Sequence, residues 1–243
     1  MTWHTGRLAG FDLETTGTNP ETARVVTACI VQVGDRLPTQ SATWLSDVDG
    51  EEIPAEAAAI HGITTEHARR KGTDLRQVVD GVLAALTQVV LSGIPVVAMN
   101  ARYDLTLLDR EARRYGMTPL TDRVGEGLRV IDPYVIDKQV DRCREGSRKL
   151  IDLCAHYHVQ LGNAHSADAD ALAACRVAWR IAQREPEIGA ASLAVLHGKQ
   201  KEWAAEQAAS LADHFARTPG KEHLAAGVRS EWPLIPVQRA GGL

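Results

Sequence analysis

Cysteine is scarce in this 243-residue chain, and the four present, Cys29, Cys143, Cys154 and Cys175, form no C-x-x-C pair and no disulfide-framework spacing. A disulfide-stapled scaffold is therefore excluded, and the thiols are expected to be free and buried. No apolar run approaches the ~20 residues of a membrane-spanning helix. The first ten residues hold no long apolar segment of the signal-peptide kind. No membrane partner is expected, and the expected location is cytoplasmic. An excess of basic charge is missing too: 27 Lys and Arg stand against 31 Asp and Glu, for a formal net charge of −4. Phosphate contacts come from Lys and Arg, so this balance argues against an architectural nucleic-acid binder. It leaves open an enzyme with an acidic metal site, where bound cations invert the local charge. There is no internal repeat and no low-complexity segment. With 44% hydrophobic and 24% charged residues, the chain can bury a sizeable core.

The apolar pattern changes period along the chain. Arg7 to Leu13 reads as a strand, stopped by the turn cluster Thr15-Thr16-Gly17-Thr18-Asn19-Pro20. Arg24 to Val33 and Ser41 to Leu45 read as two more, and their short links predict an antiparallel meander. Helical spacing then takes over at Leu75 to Leu91, Leu105 to Tyr115, Lys149 to Tyr157 and Ser166 to Gln183. Strands at Ile94 to Met99 and Arg129 to Ile131 interrupt it, and Pro133 marks a further helix start. A meander followed by alternating helices and strands predicts an α/β domain with a mixed sheet over residues 1–185. Residues 186–243 are expected to form an extension, with an Ala-rich helix from Ala190 to Phe215 and a Pro- and Gly-containing tail.

Three acidic clusters sit where these elements end. Asp12 and Glu14 lie two residues apart on an otherwise apolar strand and so share one face. Two carboxylates on a core strand cost several kcal/mol per ion unless compensated, and a divalent cation such as Mg²⁺ or Mn²⁺ is the usual compensation. Exposed strand-end acids would be the plainer explanation. Asp104 follows the strand around Val96-Val97, where ligands of α/β sheets bind, although an Asp there also suits a helix cap. His165 precedes the long helix and Asp170 lies one turn inside it, so both can face one site. With no Cys or further His nearby, zinc is not expected. Asp168 lies about 200° round the helix from Asp170, so the two cannot face the same metal.

These motifs resemble the DEDDh (DnaQ-like) 3′→5′ exonucleases of the RNase H-like superfamily, to which the proofreading subunit of bacterial DNA polymerase III belongs. D-x-E-T-T-G matches Asp12 through Gly17, N-x-x-[FY]-D matches Asn100 through Asp104, and H-x-A-x-x-D matches His165 through Asp170. Ile60-His61-Gly62-Ile63-Thr64 matches a further element before the first long helix, and the resemblance spans roughly residues 7 to 183. It implies an RNase H-like mixed sheet flanked by helices, and a two-metal mechanism. Asp12, Glu14, Asp104 and Asp170 are implied as the metal-holding carboxylates. Asp12 would bridge both cations, and Asp104 would support the second, through water. His165 is implied as general base. Leu13, Thr15, Thr16, His61 and Tyr103 are implied as the lining of a terminal-nucleotide pocket, where Tyr103 can stack on a base. Ser166 departs from relatives carrying Asp or Arg, yet suits a helix N-cap.

Two rival classes are weaker. An aspartate-nucleophile phosphatase wants Asp in place of Glu14 and leaves the His165 motif unexplained. A non-catalytic binding module of the same fold would have lost a carboxylate, and none is missing. Within the exonuclease class, the expected substrate is a single-stranded 3′ end, DNA over RNA, with RNA 3′-end trimming or oligoribonuclease activity as the alternative. Arg142, Arg144, Arg148 and Lys149 form the one modest basic cluster, more readily a solvated loop than a nucleic-acid track. A DNA polymerase or another replication or repair protein is a partner by analogy with proofreading relatives, though no clamp-binding motif is evident. Glu231 to Pro236 is expected to dock on the domain or on another protein.

Overall fold

Apolar residues dominate Arg7–Thr15, and the strand they form, β1, is the centre of the molecule. The computed structural model describes residues 2–162 and 166–237. β1 pairs antiparallel with β2 (Val25–Gly34), which pairs antiparallel with β3 (Gln40–Leu45). On its other side β1 pairs parallel with β4 (Val96–Val97), and β4 with β5 (Val130–Ile131). The result is one mixed sheet of order β3-β2-β1-β4-β5, meander first and parallel strands after, as expected. β4 is shorter than Ile94 to Met99 suggests, because Asn100 already turns into the left-handed region (φ 60°) to start a helix.

The helices are α1 (Ala55–His61), α2 (Thr65–Lys71), α3 (Leu75–Leu91), α4 (Ala101–Arg114), α5 (Leu120–Val124), α6 (Pro133–Val140), α7 (Leu150–Tyr157), α8 (Ala167–Arg184), α9 (Pro186–Ala190), α10 (Leu193–Arg217) and α11 (Glu222–Ala225). Apolar spacing gives no hint of α1 and α2, whose short faces bury few side chains. Thr64 caps α2 by accepting the His67 amide at 3.1 Å. One core unites α3 and α4 with Ala9, Phe11 and Leu13 of β1. A second packs α6, α7 and α8 against Leu8, Val97 and Ile131. The sheet is thus covered on both faces, as strands this apolar require.

Two close fits fix the layers. A Cβ on Gly10 would fall 2.3 Å from the Ala171 carbonyl oxygen, so only glycine lets α8 cross β1 at this point. At the sheet edge, fully buried Gln200 of α10 acts as a substitute strand. Its Oε1 accepts the Asp132 amide at 2.7 Å and its Nε2 donates to the Val130 carbonyl at 2.9 Å. The edge that β5 would expose is thereby closed. Leu196, Ala204 and Trp232 of the C-terminal part join the same two cores. Of the cysteines, Cys29, Cys154 and Cys175 are free and buried as expected, while Cys143 is free and exposed.

Candidate metal and nucleotide site

Strand alternation places the first pair of acids. In register with β2, Asp12 lies opposite Cys29 and Glu14 opposite Thr27, both on the face that α8 crosses. The ladder is irregular between Glu14 and Thr15, where the strand leaves the sheet, and such bulges re-aim side chains beside functional sites. The close crossing at Gly10 brings the first turn of α8 over this face. Carboxylate oxygens of Asp12, Glu14 and Asp170 consequently lie within 4.8 Å of one another. Burial, then Asp104, Glu14 and Asp170, hold the Asp12 carboxyl well above the usual range. Glu14 is pushed up to about 7, first by burial and then by Asp170. These groups resist joint ionisation, which is the electrostatic signature of a site built for positive charge.

Asp104 comes from the other side. It is buried (4% exposed), and its Oδ1 accepts the Leu13 amide at 3.2 Å. The pairing of β1 with β4 stops at Gly10, so this carboxylate occupies the place of the missing strand for the end of β1. Asp104 is therefore not the helix cap; Asn100 holds that position. Burial raises the Asp104 carboxyl well above the ordinary value, against the bonds from its own and the Leu13 amide. Its charge is the largest Coulombic cause of the shift at Asp12.

Beyond the acids lies a cavity of about 620 Å³, lined by Leu13, Glu14, Thr15, Thr16, His61, Asn100 and Tyr103 together with Gly17, Thr18 and α1 residues including Ile60. The Thr15 hydroxyl sits 2.6 Å from the Tyr103 hydroxyl, and both hydroxyls donate to the Gly17 carbonyl. Burial raises the Tyr103 phenol to about 12, so it stays protonated. His61 Nδ1 accepts the Ile63 amide at 3.1 Å, which puts the ring proton on Nε2. That nitrogen is buried near the Thr15 backbone, without a hydrogen bond of good geometry among the described residues. Burial holds the ring below the usual imidazole range, so it is neutral. Glu14 and His61 also line a second cavity of about 390 Å³, walled by Thr27, Thr43, Ser166 and Asp168.

Asp168 is exposed and bonded to the Ser166 hydroxyl, apart from the acid cluster. Ser166 holds the N-cap position, yet its side chain caps nothing, since it turns to Asp168. His165 lies outside the described residues. Arg144 and Arg148 both grip Asp137, at 2.5 and 2.8 Å, and Tyr157 donates to the same carboxylate at 2.9 Å. Half of the basic cluster is thus an internal ion network, neither solvated loop nor nucleic-acid track.

Pattern reasoning misses what holds the turn in place. Buried Glu111 of α4 accepts from Arg24 Nε at 2.9 Å and lies 3.3 Å from Arg114. Arg24 also pairs with Glu51 and accepts a donation into its carbonyl from the Thr16 amide, at 3.0 Å. Arg110 binds Glu21 at 2.7 Å, and Arg114 donates to the Ala23 carbonyl at 3.1 Å. The turn from Thr16 to Ala23 is therefore pinned to the helix that carries Asp104.

Three carboxylates converge at the end of the central strand of a mixed sheet, next to a cavity of about 620 Å³, in an α/β domain. The chain belongs to the exonuclease family, whose model matches residues 9–178. No curated protein sequence matches it significantly. Among solved structures it is similar to Escherichia coli exonuclease I in complex with a dA16 oligonucleotide, with 20% identity and a TM-score of 0.64 over 75% of this chain and 42% of that one. It is also similar to exonuclease I from Methylocaldum szegediense, with 22% identity and a TM-score of 0.62, again over 75% of this chain and 42% of that one. The chain thus spans less than half the length of these proteins, and the likeness at such identity is one of fold. Among the described residues no helix is long and apolar enough to cross a membrane.

Proposed function

We propose that this chain is a 3′→5′ exonuclease releasing 5′-mononucleotides from single-stranded 3′ ends, DNA in preference to RNA, with two divalent cations. One observation carries the reading: at Glu14 an all-carboxylate cluster meets a cavity of about 620 Å³ bordered by the Thr15–Thr16 turn. That volume lies within the ~300–1,000 Å³ of ordinary ligand pockets and accommodates a terminal nucleotide.

The donor set fits the cofactor. Oxygen ligands alone favour Mg²⁺ or Mn²⁺ over zinc, and the upward shifts at Asp12 and Glu14, caused first by burial and then by neighbouring carboxylates, reflect a cost that bound cations would offset. Asp12, Glu14 and Asp170 would hold the cations, with Asp104 supporting the second. Once bound, such a pair lowers the pKa of the attacking water and stabilises the leaving oxygen. Leu13 and Tyr103 offer an apolar and an aromatic wall to the terminal base, with neutral His61 in the same lining. The Thr15 and Thr16 turn would meet the 3′ hydroxyl. His165 would take the proton from water, a role resting on its motif. The preference for DNA draws support from the E. coli relative, whose structure is a complex with a dA16 oligonucleotide.

A panel of 5′-labelled linear single strands, duplexes, RNA and circular single-stranded DNA, each with Mg²⁺ or Mn²⁺, tests the proposal. A ladder shortening from the 3′ end of linear DNA, with circles intact, is expected. Cleaved circles or 3′-phosphate products would refute it.

A further inference from the structure

The segment from Arg229 to Ile235 runs along α4 like a strap. Arg102 donates to the Arg229 carbonyl, the Ile235 amide donates to Thr106 Oγ1 at 2.9 Å, and Arg110 donates to the Ile235 carbonyl at 2.9 Å. Residues 102, 106 and 110 are one turn apart and share a face of the helix. Midway, Trp232 is buried (3% exposed), and its indole Nε1 donates to Asp132 Oδ2 at 3.2 Å.

Asp132 is the joint between strap and site. It is 1% exposed and stands at the end of β5. Its Oδ1 accepts the Asn100 and Tyr134 amides at 3.0 Å, and its Oδ2 accepts the Ala101 amide at 3.0 Å. Asn100 and Ala101 open the helix on which Asp104 follows one turn later. Asn100 sits at φ 60°, a left-handed conformation that Asn tolerates better than most residues, and the Asp132 carboxylate fixes its amide there. The indole is the fourth donor to that carboxylate.

We infer that this strap positions Asp104 for hydrolysis, with Trp232 acting through Asp132, and Ile235 through Thr106, as positioning residues. The inference rests on the proposed reading of the site as hydrolytic. A purely stabilising strap would have no reason to bond the two amides' own acceptor, and its removal would change folding alone. A positioning strap sets the place of a carboxylate and so sets turnover and cation requirement.

Trp232→Phe keeps an aromatic ring in the core and removes the donor together with part of the indole's volume. Turnover per folded molecule should fall about 10-fold, the low end of the cost of losing a metal site's outer partners because Trp232 acts one step further out through Asp132, with KM little changed. The Mn²⁺ concentration for half-maximal rate should rise in parallel. Thr106→Val removes the other anchor isosterically and should act in the same direction, so the inference stays testable if Trp232→Phe does not fold. A lower melting temperature with unchanged kcat and unchanged Mn²⁺ dependence in the folding variant overturns it. If the wild-type chain hydrolyses no nucleic acid, the proposed function falls and Mn²⁺ calorimetry decides the inference by itself. A weakened cation site in Trp232→Phe then supports it, and an isotherm identical to wild type overturns it.

Discussion

Gly10 of β1 and Ala171 of α8 touch backbone to backbone: a Cβ on Gly10 would lie 2.3 Å from the Ala171 oxygen and 2.8 Å from its carbonyl carbon. Asp170 precedes Ala171 and Asp12 follows Gly10 by two residues, so this contact sets the spacing of the acids across the two elements. Gly10→Ala must push α8 off the sheet, because neither obstacle is a flexible side chain. A loss of about 1–3 kcal/mol in urea unfolding is expected, as for overpacked cores. Hydrolysis should fall far more than the folded fraction does. A stable variant with full activity would show that the acids tolerate a shifted helix.

Asp12→Ala and Asp170→Ala should each abolish hydrolysis without loss of stability in the metal-free protein. Removing either would delete a proposed cation ligand and also relieve the mutual repulsion within the acid cluster. Asp168→Ala is the control, since that side chain is exposed and bonded to Ser166. Thermal melts in chelator, beside rates in Mg²⁺, check both halves. Near-wild-type rates in either of the first two variants would remove that residue from the site.

The acids of β1 are legible in the sequence because strand alternation is local: positions two apart share a face whatever surrounds them. The meander, the long helices and the mixed sheet follow from period and turn chemistry in the same way. What holds the site together is not local. Asp109, Arg110 and Glu111 look like a solvated helix face, yet all three are buried, under the β1–β2 turn and the strap. Arg24 and Glu111 are 87 residues apart, and Gln200 reaches Asp132 across 68. Nothing in the spacing of either pair announces its partner. Gly10 carries a faint signal, a glycine inside an apolar strand, which marks close backbone approach.

Tyr103→Phe tests the turn. The phenol joins the Thr15 hydroxyl at 2.6 Å and donates to the Gly17 carbonyl, so its loss frees the wall of the nucleotide cavity while keeping the ring. A stability loss of about 1 kcal/mol is expected for the deleted bond. KM for single-stranded DNA should rise more than kcat falls, because the ring lines the cavity and the hydroxyl bonds to the Thr15–Gly17 turn. A drop confined to kcat would place the phenol in the chemistry instead.

The metal-free site should register pH through Glu14. Its carboxyl is raised to about 7 in the folded protein from an ordinary value near 4.5, chiefly by burial. A raised acid binds its proton more tightly when folded, so it contributes stability below the unfolded value and loses that contribution as pH climbs through about 7. The melting temperature in chelator should therefore decline as pH climbs from about 4.5 to about 7. Glu14→Gln should flatten the decline, because the amide has no proton to lose. Cation binding requires the ionised form, so Mn²⁺ should bind more tightly toward pH 8 and displace protons as it does. Calorimetry in two buffers of different ionisation enthalpy counts those protons directly. A Mn²⁺ affinity independent of pH, with no proton release, would mean that Glu14 is already ionised when the site is empty.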